Sequence, residues 1–282
     1  MNKAEASVSK FYNSIGWKTE DGITEDARRF EDLREFSSDY VSKCRQRVSN
    51  FIPEKGDFIL DMASGPIQYL EYLEYSKNFK KRYCVDLSSK ALEMAKEKIG
   101  DHGVFLHGSF FEIPLSENFF DCSISLHTIY HIDKSQQEEA VRKLIFVTKP
   151  NSNIIIVYSN PNSIFQSLPF RIIPFIHRKA KNFINLFIKN GINPSIETEG
   201  FYFQPHSLKW WSRFNDVADV TIYPWRSFNT DFQKKYIPNN KFGKKILDIL
   251  FILENRFPNF FVKNLQYPMI VLTKKSKQHQ RN

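Results

Sequence analysis

From residue 57 onward, short apolar runs recur along the chain: DFILDM, RYCVDLS, GVFLHG, FFDCSISLH and SNIIIVYSN. Segments of helical periodicity separate them. SKALEMAKEKIG opens on Ser88 or Ser89 and closes on Gly100, and DKSQQEEAVRKLIFVTKP is ended by Pro150. Strands alternating with helices predict an α/β fold, a doubly wound and mostly parallel sheet with helices on both faces. After Pro161 the rhythm breaks, and residues 162–205 read as an insertion punctuated by Pro169, Pro174 and Pro194. Alternation returns with the helix SLKWWSRF and the strand DVTIYPW. A second helical insertion, about 227–265, contains NKFGKKILDILFILENRF and precedes a last strand, YPMIVLTKK. These seven runs predict one seven-stranded sheet interrupted twice, so residues 51–275 are expected to form one domain.

Upstream, residues 1–50 read as a helical cap. ITEDARRFEDLREF is densely charged, and SSDYVSKCRQRVSNFI places Tyr40, Val41, Cys44, Val48 and Phe51 near helical spacing, with Ser37 or Ser38 as the cap. Residues 276–282 form a basic tail that is expected to be disordered.

Composition narrows the class only a little. The chain has 282 residues, 41% hydrophobic and 25% charged, ordinary for a globular protein and ample for a sizeable core. Its 27 phenylalanines read first as core filling. The net charge of +9 is compatible with phosphate-bearing partners, anionic membranes or nucleic acid. No nucleic-acid recognition motif accompanies it, so nucleic acid is not the expected substrate. Cys44, Cys84 and Cys122 lie far apart without a CxxC pair, so no metal site is expected. The N-terminus lacks the apolar core of a signal peptide and no run approaches membrane-spanning length; a reduced, cytoplasmic protein is the expectation.

Candidate chemistry centres on FILDMASGPIQYLEYL. A strand ends at Asp61, a turn of Ala63, Ser64, Gly65 and Pro66 follows, and bulky residues then resume. In a parallel sheet ligands bind beyond the carboxyl ends of the strands. Small residues there let the backbone approach a ligand, and the N–H groups of a following helix start are oriented donors. Asp86 ends the next strand, 25 residues on, where a carboxylate can accept hydrogen bonds from both ribose hydroxyls. A helix cap is the plainer use of such an Asp.

With VFLHGSFFEIPLSENFFDCSISLHTIYHI added, the chain resembles the class I S-adenosylmethionine-dependent methyltransferases, in particular their small-molecule branch, over roughly Phe58 to Tyr158. The resemblance implies a Rossmann-like sheet and S-adenosyl-L-methionine as cofactor. It aligns Asp61 through Ile67 with the family's D-x-G-x-G-x-G-like loop and Asp86 with its ribose acid. Gly108 through Leu115 match the G-D-x-x-x-L-P-F segment, and Phe120 to Ser125 with Tyr130 to Ile132 match the fourth strand and its following HHL. The VTKPNSN turn matches L-K-P-G-G. The cofactor residues so implied are Tyr12, Asp61, Ala63, Ser64, Gly65, Asp86, Leu87, Ser109, Phe110 and Leu126. Four departures stand out. Ala63 replaces the first loop glycine, a mild change in a turn of negative φ, and Ile67 replaces the third, where it should push the helix or line the pocket. Ser109 stands where the family has an Asp contacting the adenine amino group. The KPNSN turn lacks both glycines, and Asn151 or Asn153 can take the left-handed geometry instead.

Methyl transfer is chiefly a positioning task, and a hydroxyl acceptor also calls for a general base. His127, Tyr130 and His131, after the fourth strand, are the candidates. His127 is first choice as base or as the group orienting the acceptor, and His131 reads as a structural hydrogen-bonding residue. Tyr158 and Asn160 are pocket-wall candidates. Tyr12 either touches the cofactor or staples the cap. Arg29 and Arg34 are either anion contacts or part of a solvated helix, and Trp210 and Trp211 are core aromatics or a stacking platform.

From Asn160 to Ile196 there is no Asp or Glu, whereas Arg171, Arg178, Lys179, Lys181 and Lys189 are present. That segment reads as a lid over the pocket or as a basic amphipathic helix for a membrane or a phosphate. The acceptor class expected first is a small molecule or glycan, through O-methylation of a sugar or specialised metabolite. A lipid or quinone-like acceptor at a membrane surface is an alternative, and so is a methyltransferase-fold scaffold without catalysis.

Overall fold

The computed structural model describes residues 2–164 and 202–276. The basic segment from Arg171 to Lys189, with its lid and membrane readings, and the tail after Ser276 lie outside the described residues. A small hairpin pairs β1 (Thr19–Glu20) with β2 (Ile23–Thr24). The main sheet contains β3 (Gly56–Met62), β4 (Phe79–Asp86), β5 (Gly103–His107), β6 (Phe120–Leu126), β7 (Thr148–Val157), β8 (Ala218–Arg226) and β9 (Tyr267–Lys274). Its order is β5-β4-β3-β6-β7-β9-β8, parallel throughout except for β9, which runs antiparallel to both neighbours. The expected seven-stranded, mostly parallel sheet is the one observed. Its central strands are near-continuous apolar runs because both faces are covered: Ile59, Leu60, Cys122, Ile124 and Ile154 to Val157 have no solvent exposure.

The helices follow local rules. In α5 (Ser89–Ile99) the Ser88 hydroxyl accepts the Ala91 N–H, and Gly100, at φ 49°, ends the helix. Its inner face buries Ala91, Leu92 and Ala95. Helix α6 (Gln137–Val147) stops before Pro150, which falls in β7 instead. The end is fixed by partners for its last carbonyls: Phe146 O accepts from Asn118 N–H and Lys274, and Val147 O from Phe119 N–H. Asn151 takes the left-handed conformation at φ 61°. SLKWWSRF forms a 3-10 helix, Leu208–Phe214, that buries Trp210, Trp211 and Phe214 in the core.

Residues before β3 are more varied than all-helical. They comprise α1 (Lys3–Phe11), a π-helical turn (Tyr12–Gly16), the hairpin, the short α2 (Glu25–Phe30) and α3 (Ser38–Gln46). Tyr40, Val41, Cys44 and Val48 are buried as their spacing predicts. Ser37 occupies the cap position of α3 without making a capping bond. Helix α1 and the turn after it lie across the carboxyl ends of β3 and β4. The Ser9 hydroxyl donates to Leu87 O (3.2 Å) and the Ser88 hydroxyl to Asn13 Oδ1 (2.7 Å). After β8 come α7 (Thr230–Tyr236), α8 (Lys241–Arg256) and α9 (Pro258–Asn264).

Candidate active site

The turn after β3 is built on left-handed backbone. Ala63, Gly65 and Ile67 have φ of 56°, 55° and 49°. Ala63 therefore departs from the expected negative φ, and its side chain costs about 1 kcal/mol or more there. The conformation is held because both the Ala63 and Ser64 N–H groups donate to Val85 O, at 2.7 and 3.2 Å. Ile67 does not line the pocket. It is buried under the turn with Cys84, Leu92 and Ala95, and α4 (Leu70–Glu74) starts three residues later with only five residues. The backbone of the turn, not a helix start, thus faces the space above the sheet.

Asp86 closes β4 beside this turn. Its Oδ2 accepts the Gly65 N–H at 2.9 Å and its Oδ1 the Ser88 N–H at 2.8 Å. Each oxygen keeps a second lone pair, so the carboxylate can still accept two hydrogen bonds. Burial pushes Asp86 up to about 6, against the two N–H groups that favour its charge. Asp61, which the sequence places in the same site, faces inward instead. It is buried and paired with Arg82, whose Nε donates to Oδ2 at 3.1 Å and whose Nη2 contacts the same oxygen. Arg82 has no solvent exposure and also donates to Tyr72 O. This buried pair, with two guanidinium nitrogens on one carboxylate oxygen, fixes β3 against β4 and the segment carrying Tyr72.

The N-terminal residues close over the turn. Trp17 lies on Gly65, where an added Cβ would meet its ring at 3.4 Å, and Tyr12 stacks on Trp17 at 4.7 Å. Tyr12 hydrogen-bonds Asp26 of α2, and its phenol is raised far above the ordinary value by burial and then by Asp26, Tyr130 and Asp86. Asp26 is pushed up to about 7 by burial and by Glu31, with the Tyr12 hydrogen bond opposing. Ser109 is already engaged on both sides. Its hydroxyl donates to Glu5 Oε1 at 2.5 Å and receives the Phe111 N–H at 3.3 Å. Glu5 Oε2 in turn takes the Asn2 N–H, completing a capping box on α1. Leu87 offers its carbonyl to Ser9, Phe110 is a core residue, and the Ser64 hydroxyl turns to Gly65 O. Leu126 is half-buried at the end of β6.

Beyond β6, His127 sits at φ 59° with its N–H on Val157 O. Its Nδ1 is 3.1 Å from the Tyr130 hydroxyl, and its ring packs edge-on against Trp225 and Tyr267. Burial, and then the positive charge of Arg226 and of Arg45, holds the imidazole well below its usual range. The ring is neutral at physiological pH and only weakly basic, which suits orienting a group more than retaining a proton. His131 Nδ1 donates to Tyr202 O at 2.8 Å, and burial lowers it to about 4. Nearby, Glu31 lies between Arg45 (3.1 Å) and Arg226 (3.3 Å). Arg45 stacks on Tyr69, and Arg226 lies over Trp225 and Tyr267.

Several sequence candidates lie elsewhere. Tyr158 is fully buried, its hydroxyl donating to Gln137 and accepting from His206 N–H, so it is core and not pocket wall. Asn160 is also buried and ties Leu265 O. Trp210 and Trp211 are core aromatics. Arg29 pairs with Glu25 one turn away on α2. Arg34 clasps Asp32 and the carbonyls of Gln233 and Ile237, a structural joint to α7. Sequence reasoning missed Glu5, Trp17, Asp26, Glu31, Arg45, Arg226 and Tyr267. Their positions in charged or aromatic runs carried no signal separating them from solvated residues.

All three cysteines are free and buried. Among the described residues no helix is long and apolar enough to cross a membrane. An open groove lined by Arg142, Phe146 and Lys274 lies at the opposite end of the strands and shares no residue with this cleft.

Residues 60–156 match the methyltransferase domain family. An uncharacterized methyltransferase of Anoxybacillus flavithermus is 28% identical over 112 residues, 39% of this chain and 51% of that protein. A ubiquinone/menaquinone biosynthesis C-methyltransferase of Proteus mirabilis is 28% identical over 109 residues, 34% of this chain and 42% of that protein. The chain spans about half the length of the curated relatives it matches. A SAM-dependent methyltransferase from Archaeoglobus fulgidus shares the fold at a TM-score of 0.54, with 16% identity, 89% of this chain and 98% of that chain covered. Residues 60–156 thus match a methyltransferase domain, and the strand order and the acid beside the small-residue turn are similar to those of the class I S-adenosylmethionine-dependent methyltransferases.

Proposed function

We propose that this protein transfers a methyl group from S-adenosylmethionine to a small-molecule acceptor, with a hydroxyl of a sugar or specialised metabolite as the leading class. The observation that carries the reading is Asp86: a carboxylate at the carboxyl end of β4, fixed by two backbone N–H groups, with two accepting positions left. Those two positions match the two hydroxyls of a ribose. The left-handed backbone of Ala63 and Gly65 leaves the turn approachable, and Tyr12 and Trp17 cover it. Ser109 spends its hydroxyl on Glu5, so the acidic group at the adenine end of the site is Glu5, brought in by α1. In this reading residues 1–50 act as the cap over a domain of residues 51–275.

The bound sulfonium supplies an activated methyl group; the chain supplies placement and a proton acceptor. An attacking hydroxyl must lose its proton as its oxygen bonds to carbon. Asp26, raised to about 7 and beside Tyr12, holds that proton. Neutral His127, braced by Tyr130, orients the acceptor. Tyr69, Tyr72, Trp225 and Tyr267, with Arg45, Arg226 and Glu31, form an aromatic wall with fixed charges suited to a polar ring.

Calorimetric titration with S-adenosylhomocysteine tests the reading. One-to-one binding is expected, weakened at least about tenfold by Asp86→Ala. A folded protein that does not bind supports the scaffold alternative. Unchanged affinity in Asp86→Ala refutes the ribose assignment.

A further inference from the structure

Helix α8 presents an apolar face that no part of the described chain covers. Phe242, Ile249, Ile252 and Leu253 share one side of it, and Phe257 and Phe260 continue the surface across the corner into α9. Their exposure runs from 40% at Leu253 to 67% at Phe242. The helix cannot rotate to bury them, because its other face is pinned. A Cβ on Gly243 would lie 1.8 Å from Pro238 O, so the backbones touch there. Fully buried Glu254 accepts from Tyr40 and Ser227 and pairs with Arg47 at 2.9 Å. Leu247 is sealed in the core.

Charge decides what fits this face. Lys245 and Arg256 are exposed within it, and Lys241 and Lys263 are exposed at its ends. The two acids of α8 do not offset them there: Glu254 is buried, and Asp248 is engaged with Lys43 and Lys244 at the flank. A contiguous apolar patch edged by cations and lacking exposed carboxylates is the pattern of a surface that lies in a membrane interface. A second copy would set the same cations against one another across a two-fold axis. The segment from Asn160 to Ile196 contains no acid and five cations, so it offers these cations no carboxylate.

We propose that the outer face of α8, with the α8–α9 corner, docks on an anionic lipid bilayer. Phe257 and Phe260 enter the acyl boundary while Lys241, Lys245, Arg256 and Lys263 meet the headgroup phosphates. Because α9 leads directly into Tyr267 of the candidate cleft, docking would bring that cleft close to the membrane surface. The inference does not depend on methyl transfer.

Flotation of the full-length protein with phosphatidylglycerol vesicles, compared with phosphatidylcholine vesicles, tests it. The protein is expected to float with the anionic vesicles and to be released by salt. The double variants Phe257→Ser/Phe260→Ser and Lys245→Glu/Arg256→Glu are each expected to lower partitioning about tenfold or more. All four side chains are exposed, and an unchanged melting temperature confirms that the variants fold. No flotation of the parent protein, equal flotation with phosphatidylcholine, or parent-like flotation of the phenylalanine variant overturns the proposal. A concentration-dependent dimer that the phenylalanine substitutions dissolve overturns it in favour of a second copy.

Discussion

Neutralising Asp26 should stabilise the protein at high pH and leave it nearly unchanged at low pH. Asp26 is half-buried on α2 and faces Tyr12, Glu31, Tyr69 and Tyr130. Burial and Glu31 raise it from 3.8 to about 7. The native state therefore binds this proton more tightly than the unfolded chain does, and stability falls as pH rises between those two values. The full shift corresponds to about 4 kcal/mol. Solvent screening of a side chain that is only partly buried reduces this to about 2 kcal/mol. Asp26→Asn keeps an oxygen for the Tyr12 hydroxyl and removes the charge. Its melting temperature should exceed the parent's by about 5 °C at about pH 8 and by much less near pH 4. Thermal unfolding of both proteins across that range is the assay. A difference that does not change with pH would show that the Asp26 carboxylate is not perturbed, and the proton-acceptor role would fall with it.

Arg82→Ala leaves Asp61 buried without its partner and should cost about 3–5 kcal/mol in urea denaturation, whereas Asp61→Asn combined with Arg82→Met should cost much less. A loss below about 1 kcal/mol in Arg82→Ala would mean the pair is not buried as described. Glu5→Ala should weaken S-adenosylhomocysteine about tenfold while leaving S-inosylhomocysteine, which lacks the amino group, unaffected. Equal losses for both ligands would assign Glu5 to docking α1 alone.

The sheet was legible because parallel strands covered on both faces must be apolar along their whole length, and such runs separated by periodic helices have few other solutions. Asp86 was legible for the same reason: the end of a run locates the carboxyl end of a strand. For Ile67 the displaced helix start is seen at Leu70 and the pocket-lining alternative fails, because local spacing cannot show that the side chain tucks beneath the turn. Arg82 was invisible because it follows Lys80 and Lys81 at the start of RYCVDLS, where it looks like one more exposed cation until Asp61 is seen beside it.

The sequence by itself determined the strand order's raw material, the small-residue turn and the acid that follows it. Local chemistry fixes all three. The tertiary structure alone decided that Ser109 is spent on Glu5, and that Tyr12 and Trp17 close on Gly65. It alone gathered Asp26, Glu31, Arg45 and Arg226 into one charged cluster. Glu5 and Ser109, Trp17 and Gly65, and Arg45 and Arg226 come from segments far apart in the chain. Their protonation and partners are set by burial and by neighbours across the fold, which no window of sequence contains.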